Sequence, residues 1–194
     1  MQRIGKIASV GAAALAVAFS LTACGGDDTA AQPSATPSAP AAPSSSAAQA
    51  AQPKGRECTA DDIKTTGTFG QPPTITIPDD CDPPKKLITK DLVEGTGNGA
   101  KAGQQVSMNY SLVTWSDKKK LDSSFDRGQT FDLQLGAGEV IPGWDQGLVG
   151  IKQGGRRLLI IPPDLGYGQG GNGIAPNETL VFVTDAVTVP ADKS

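Results

Sequence analysis

The sequence predicts an α+β fold, a mostly antiparallel sheet with one short helix packed on its concave face. β-Prone runs bounded by Gly and Pro recur through the second half of the chain, and apolar side chains alternate along several of them. Only one segment combines a helix-start signal with apolar residues at helical spacing. The folded domain is therefore expected at residues 85–190, and the N-terminal part is expected to be an appendage.

The strands follow from alternation and from their boundaries. Val106, Met108, Tyr110 and Leu112 alternate with smaller or polar residues, so one face of this run is predicted to be buried. Phe131, Leu133 and Leu135 alternate with polar residues in the same way. Strands are predicted at residues 87–93, 106–115, 131–135, 156–161 and 180–189.

The helix is predicted to begin at Pro142 and to run to about Val149. Proline suits a first helical position, because its missing N–H would have no intrahelical partner there. The residues expected on one side of the helix are Ile141, Trp144, Leu148 and Ile151.

The N-terminus carries an export signal. A basic start is followed by a mostly apolar run at residues 7–20, too short to span a bilayer, so residues 1–23 are predicted to be a signal peptide. Residues 21–24, Leu-Thr-Ala-Cys, resemble the bacterial lipobox, which makes Cys24 the predicted lipidation site and the outer face of the cell membrane the predicted location. The alternative is an ordinary signal peptide followed by a chance cysteine.

Residues 24–57 are dominated by Ala, Pro and Ser and are predicted to be a disordered tether between the lipid and the folded part. Residues 58–84 form a second segment, with two β-prone runs around a Gly/Pro turn that predict a hairpin. Cys58 and Cys81 bracket it, and an even number of cysteines in an exported chain favours a disulfide. A metal site is the less favoured alternative, because the chain offers neither His nor a Cys-x-x-Cys motif.

Composition excludes several function classes. The formal net charge is -3, and the basic residues form no extended stripe, so nucleic acid is not an expected partner. The chain has no histidine, which removes Ser-His-Asp and Cys-His catalysis and the commonest metal ligands. No metal and no cofactor are expected.

Five motifs occur in order between residues 85 and 190. They are Tyr110, the run Leu121-Asp122-Ser123-Ser124, the run from Val140 to Trp144 with Gly147, the run from Asp164 to Gly168, and the run from Thr179 to Phe182. Together they resemble FKBP-type peptidyl-prolyl cis-trans isomerases. The resemblance implies a five-stranded antiparallel sheet wrapped around a short helix, isomerase activity, and an actinobacterial lipoprotein form of the family.

The resemblance also implies a set of site residues. Trp144 would lie under the substrate proline, and Asp122, the Tyr167 hydroxyl and the Ile141 backbone N–H are the implied catalytic groups, with Arg127 supporting Asp122. The residues that would bind substrate are Tyr110, Leu121, Phe131, Val140, Ile141, Trp144 and Phe182. For the apolar members of this set, plain core packing is the alternative.

The implied partners are proline-containing polypeptides and macrolides such as tacrolimus or rapamycin, bound by a monomer. Leu121 and Leu133 stand where the family usually has aromatic residues, which bears on catalytic strength and macrolide affinity. The expected function is therefore isomerisation of prolyl bonds in exported proteins. A weakly catalytic chaperone or partner-binding module that uses the same pocket is the alternative.

Overall fold

The computed structural model describes residues 53–191. The signal peptide, Cys24 and most of the tether therefore lie outside the described residues, and those interpretations stay predictions. Among the described residues, no helix is long and apolar enough to cross a membrane.

The described chain begins with a hairpin of two short antiparallel strands, β1 (Lys64–Thr66) and β2 (Thr74–Thr76). Thr65 pairs with Ile75 at its centre. This confirms the hairpin predicted between the two cysteines. Eight strands follow in chain order: β3 (Ile88–Val93), β4 (Thr96–Gly99), β5 (Gln105–Thr114), β6 (Lys120–Ser123), β7 (Phe131–Gln134), β8 (Lys152–Gln153), β9 (Arg156–Ile161) and β10 (Leu180–Thr188).

The main sheet has the strand order β3-β9-β10-β5-β6, with β7 also paired to β5, and all its pairs are antiparallel. It contains six strands, where five were expected. The difference arises on β5, which is ten residues long and pairs with β7 along its first half and with β6 along its second half. The predicted fold class is confirmed.

Two helices of one turn or slightly more lie against this sheet. α1 (Ser124–Arg127) ends at Gly128, whose φ of 62° is left-handed, and α2 (Pro142–Gly147) carries the proline at its start. The prediction of a single helix was wrong, because four residues are too few to show helical periodicity in the sequence. The predicted end of α2 at Val149 was two residues too late. A 3-10 turn at Pro163–Leu165 follows β9.

The sheet has a hydrophobic cluster on each face. The concave cluster packs α2 against the sheet, and its buried members include Met108, Trp144, Leu148, Leu159 and Phe182. The convex cluster is formed between the sheet and residues 58–84, which we call the extension. Its buried members are Cys58, Ile63, Ile77, Cys81, Val113, Trp115, Leu158, Ile160, Val181 and Val183.

The extension is closed by a disulfide between Cys58 and Cys81, whose Cα atoms are 5.1 Å apart. Both cysteines are almost fully buried in the convex cluster. The predicted disulfide is thereby confirmed, and the alternative of a metal site built on these two cysteines does not apply.

A buried ion pair joins the extension to the sheet. Arg156 on β9 donates to both carboxylate oxygens of Asp185 on β10, at 2.5 and 2.8 Å, and both side chains are about 1% exposed or less. Arg156 also donates to the backbone carbonyls of Gly67 and Gln71, and Asp185 accepts the N–H of Gly70 at 2.7 Å. Every one of these partners satisfies a polar group that burial would otherwise leave unpaired.

Candidate active site

The concave face holds a cavity of about 180 Å³ between the sheet and the start of α2. Its lining is mostly aromatic and aliphatic, which suits a small apolar ring. The lining residues are Tyr110, Leu112, Asp122, Phe131, Glu139, Val140, Ile141, Trp144, Tyr167 and Phe182.

Strand periodicity places the walls of the cavity. Tyr110 and Leu112 are two positions apart on β5, so they point to the same face of the sheet. Phe182 on β10 lies directly opposite Leu112 in the register and faces the same way. Phe131 stands at the start of β7, opposite Met108. The cavity wall is therefore fixed by the pairing of β5 with β10 and β7.

α2 forms the floor because glycine lets it approach the sheet closely. A Cβ on Gly143 would collide with the Ile161 side chain, reaching its Cδ1 at 2.8 Å. A Cβ on Gly147 would meet Leu159 Cδ2 at 2.8 Å. These two glycines bring the helix down onto β9, and Trp144, which lies between them, becomes buried to 3% exposure.

The aromatic rings meet edge to face around Trp144. Its ring centroid lies 5.3 Å from those of Tyr110 and Phe182 and 5.9 Å from that of Phe131, at interplanar angles of 86°, 77° and 85°. Edge-to-face contacts are the favoured arrangement of such rings and add to the stabilisation from burial. The indole face is thus held in one orientation as the base of the cavity.

A polar network occupies one side of the cavity mouth. The Tyr110 hydroxyl donates to Asp122, and Arg127 Nη1 donates to the other oxygen of that carboxylate. Arg127 Nη2 donates to the Tyr110 hydroxyl at 2.8 Å, and the Ser123 N–H donates to Asp122 at 2.7 Å. Arg127 comes from α1, the helix that the sequence did not predict, so this helix completes the network.

The network fixes the ionisation of its members. Burial alone would raise the pKa of Asp122, but hydrogen bonds from Tyr110, Arg127 and Ser123 outweigh it and hold that pKa below its ordinary value. Burial, and then the hydrogen bond to Asp122, raise the pKa of Tyr110. The hydrogen bond to Tyr110, followed by that to Asp122, raises the pKa of Arg127. At neutral pH the site therefore holds a carboxylate, a neutral phenol and a guanidinium.

Within residues 53–191, the buried Trp144 Nε1 at the floor of the cavity has no hydrogen-bond partner, and two donors at the edge of the cavity also lack one. The backbone N–H of Ile141, the residue that caps the N-terminus of α2, donates to no group there. The half-buried Tyr167 hydroxyl, which follows the 3-10 turn, makes no hydrogen bond there either. Both groups can therefore donate to carbonyl oxygens of a bound peptide.

The structure brings together most of the residues that the sequence predicted for the site. Leu121 is the exception, because it lies on β6 with 42% of its surface exposed and does not line the cavity. Leu133 is fully buried in the concave cluster but also lies outside the lining. The substrate role predicted for Leu121 stays a prediction.

Sequence reasoning did not assign Leu112 and Glu139 to the site. Leu112 shares its strand face with Tyr110, so the period of two already contained the signal that places it there. Glu139 immediately precedes Val140, but nothing in the local pattern shows that its side chain reaches the cavity. Its carboxylate accepts the N–H of Gln134 at 3.0 Å.

The chain is similar to known proteins in sequence and in fold. The family model "FKBP-type peptidyl-prolyl cis-trans isomerase" matches residues 97–186. An FK506-binding protein of Streptomyces anulatus is 53% identical over 111 residues, which cover 56% of this chain and 90% of the relative. An FK506-binding protein of Neisseria meningitidis serogroup B (strain ATCC BAA-335 / MC58) is 43% identical over 106 residues, or 53% of this chain and 95% of the relative. The crystal structure of AtFKBP13 superposes with a TM-score of 0.50 at 34% identity, covering 54% of this chain and 93% of that structure.

Proposed function

This chain belongs to the FKBP-type peptidyl-prolyl cis-trans isomerase family and is such an isomerase, and from that premise we propose that it accelerates folding of exported proteins at the outer face of the cell membrane. The observation that carries the enzymatic part is the aromatic cavity with two donors at its edge, the Ile141 N–H and the Tyr167 hydroxyl, that have no partner within the described part of the chain. The cellular part rests on the sequence of the N-terminus.

The chemistry needs a shaped, apolar cavity more than it needs an acid or a base. Rotation about a prolyl bond breaks amide resonance against a barrier of about 18–20 kcal/mol and forms no covalent intermediate. The twisted amide is less charge-separated than the planar one, so an apolar surrounding disfavours the ground state relative to the transition state. An acceleration of a millionfold corresponds to about 8 kcal/mol of differential stabilisation.

The residues of the cavity divide this task between them. The face of Trp144 receives the proline ring, and Tyr110, Phe131 and Phe182 exclude water from it. The N–H of Ile141 and the Tyr167 hydroxyl hold the substrate carbonyls on either side of the rotating bond. Because these donors have no partner among the residues that the structure describes, substrate binding breaks no hydrogen bond between them and those residues.

Asp122 stands at the rim with its charge set by Arg127 and Tyr110. A carboxylate held by three donors keeps its position while the substrate turns beside it. Together with Arg127 it places a fixed dipole at the mouth of the cavity, and it transfers no proton.

Macrolides of the tacrolimus class are proposed ligands of the same cavity. The relatives from Streptomyces and Neisseria are both named FK506-binding proteins. The cavity of this chain has the size and apolar lining that a cyclic imino-acid ring requires.

The enzymatic proposal is tested by a protease-free assay in which NMR exchange measures the rate of cis-trans isomerisation of a short prolyl peptide. We expect catalysis that tacrolimus inhibits with one-to-one stoichiometry. Tight tacrolimus binding without measurable catalysis would favour the alternative, a proline-binding chaperone or partner-binding module. Absence of both would contradict a functional cavity.

Lipidation of Cys24 is tested separately, since the anchor and the cavity are independent. The variant Cys24→Ser is expected to leave the membrane fraction and to appear in the medium or as unprocessed precursor. The matched control is wild-type chain expressed alongside, which should float with membranes in a density gradient. Unchanged membrane association of Cys24→Ser would overturn the proposed anchor and, with it, the proposed location.

A further inference from the structure

We propose that Glu139 is a specificity residue that makes this isomerase prefer prolyl segments with a basic residue next to the proline. The proposal rests on the function proposed above and names a substrate class for it. It starts from the charges that line the cavity. Two of the lining residues are carboxylates, Asp122 and Glu139, and none is a lysine or an arginine.

The two carboxylates differ in what balances them. Asp122 is neutralised by Arg127, which donates directly to it. Glu139 makes no ion pair with any residue in the described range 53–191, and its one hydrogen bond comes from the backbone N–H of Gln134. A backbone donor orients a carboxylate but does not cancel its charge. The mouth of the cavity therefore carries one uncompensated negative charge on a side chain of fixed direction.

The basic residues that flank Glu139 in the sequence are paired with other carboxylates. Each lysine and arginine between residues 120 and 168 forms an ion pair with a carboxylate other than Glu139. The pairs are Lys120 with Asp126, Arg127 with Asp122, Lys152 with Glu94, Arg156 with Asp185, and Arg157 with Asp91. Because Glu139 itself has no ion-pair partner within residues 53–191, a lysine or arginine brought by the substrate would meet it without displacing one.

The position of Glu139 brings this charge close to a bound peptide. It lies two residues before Ile141, whose free N–H is the donor proposed for a substrate carbonyl. Because an extended chain advances about 3.3 Å per residue, Glu139 lies within reach of the residues that flank the proline. The side chain is exposed, so the attraction is screened and modest, on the order of an exposed ion pair.

The test compares peptides that differ only in charge. Prolyl peptides carry lysine or acetyl-lysine at one of the two positions before the proline or one of the two positions after it, and kcat/KM is measured for each at low salt. We expect lysine to be favoured over acetyl-lysine by about two- to fivefold in at least one position, with the ratio falling towards one at 0.5 M NaCl.

The variant Glu139→Gln keeps an acceptor for the Gln134 N–H and removes the charge, so its lysine-to-acetyl-lysine ratio should fall to about one. Asp132→Asn is the matched control, because it removes an exposed carboxylate outside the cavity lining and should keep the wild-type ratio. Glu139→Lys should reverse the preference, with glutamate peptides favoured over glutamine peptides.

A wild-type ratio near one for every position, with all peptides turned over, would overturn the charge preference and leave the isomerase intact. Equal loss of the ratio in Asp132→Asn and Glu139→Gln would overturn the assignment to Glu139. If no peptide is turned over, the isomerase proposal fails, and calorimetric affinities of the same peptide pairs decide the charge preference by themselves.

Discussion

The concave and convex faces of the main sheet come from the same strands but are packed in different ways. On β10, Phe182 faces the cavity, while its neighbours Val181 and Val183 face the extension. The concave face keeps a cavity where donors of Ile141, Trp144 and Tyr167 have no partner among residues 53–191. The convex face is closed by a disulfide and a fully satisfied buried ion pair.

This contrast indicates how the two faces share their tasks. An open cavity gives up packing contacts that a filled core would make. The extension covers the convex face as a second layer. This packing stabilises the domain without contacting the cavity. The family model begins at residue 97, so the extension lies outside the matched region. We therefore expect substitutions on the convex face to change stability and those on the concave face to change activity.

The largest effect is expected from Arg156→Met. It leaves the fully buried Asp185 without a counter-charge and removes donors from the carbonyls of Gly67 and Gln71. Removing one partner of a buried pair costs about 3–5 kcal/mol of the free energy of unfolding. Urea denaturation measures it, with Lys152→Met, which removes an exposed pair with Glu94, as a control expected to lose under about 1 kcal/mol. Similar losses in the two variants would refute the special role of the buried pair.

The disulfide comes next. Replacing Cys58 and Cys81 together by alanine opens a loop with a sequence separation of 23 residues, which in the chain-entropy model costs about 3 kcal/mol. The expected result is a lower urea midpoint with kcat/KM per folded molecule unchanged. A fall in kcat/KM while the protein remains folded would show that the extension shapes the cavity, and the contrast between the faces would break down.

A smaller effect, on activity and not on stability, is expected from Tyr167→Phe. Losing one hydrogen bond to substrate should lower kcat/KM by an amount equivalent to about 0.5–1.5 kcal/mol, with the urea midpoint unchanged. Tyr110→Phe is the matched variant, since the chain has two tyrosines and the Tyr110 hydroxyl bonds Asp122 and Arg127. It should lower stability as well as activity. Full activity in Tyr167→Phe would exclude its hydroxyl from substrate binding.

The smallest effect is expected from pH. Hydrogen bonds from Arg56 and Thr59 lower the pKa of Asp62 in the extension, and the pKa of Asp122 is also below its ordinary value. A lowered folded-state pKa gives stabilisation that is present above the unfolded value of about 3.9 and is lost as pH falls through the folded value.

The rate of isomerisation should therefore stay nearly constant between about pH 6 and 8, while the free energy of unfolding declines only below about pH 4. Parallel measurements of kcat/KM and of urea midpoints across this range check both statements. A bell-shaped rate profile centred near neutrality would contradict a mechanism without proton transfer.

Much of the fold was predictable because it depends on local sequence patterns. The period of two along Val106 to Leu112 identified β5 and its buried face, and Pro142 marked the start of α2. The bounds of β9 at Arg156–Ile161 were predicted to the residue. A four-residue helix such as α1 gives too little pattern, and for that reason Arg127 was assigned only through the family resemblance.

The sequence by itself determined five strands of the main sheet, the start of the main helix, the hairpin and the pairing of two cysteines. The strands, helix start and hairpin depend on neighbours in the chain, and the cysteine pairing depends on the number of cysteines. The short strands β4, β6 and β8 were not predicted. Only the tertiary structure decided that the extension covers the convex face, that Glu139 lines the cavity and Leu121 does not, and that Arg156 and Asp185 hold the turn at Gly70. Asp185 and Gly70 are 115 residues apart, and no local pattern specifies a contact at that separation. Such contacts form only when strand pairing brings the two segments together, since the closure entropy of a long loop must be offset by many contacts at once.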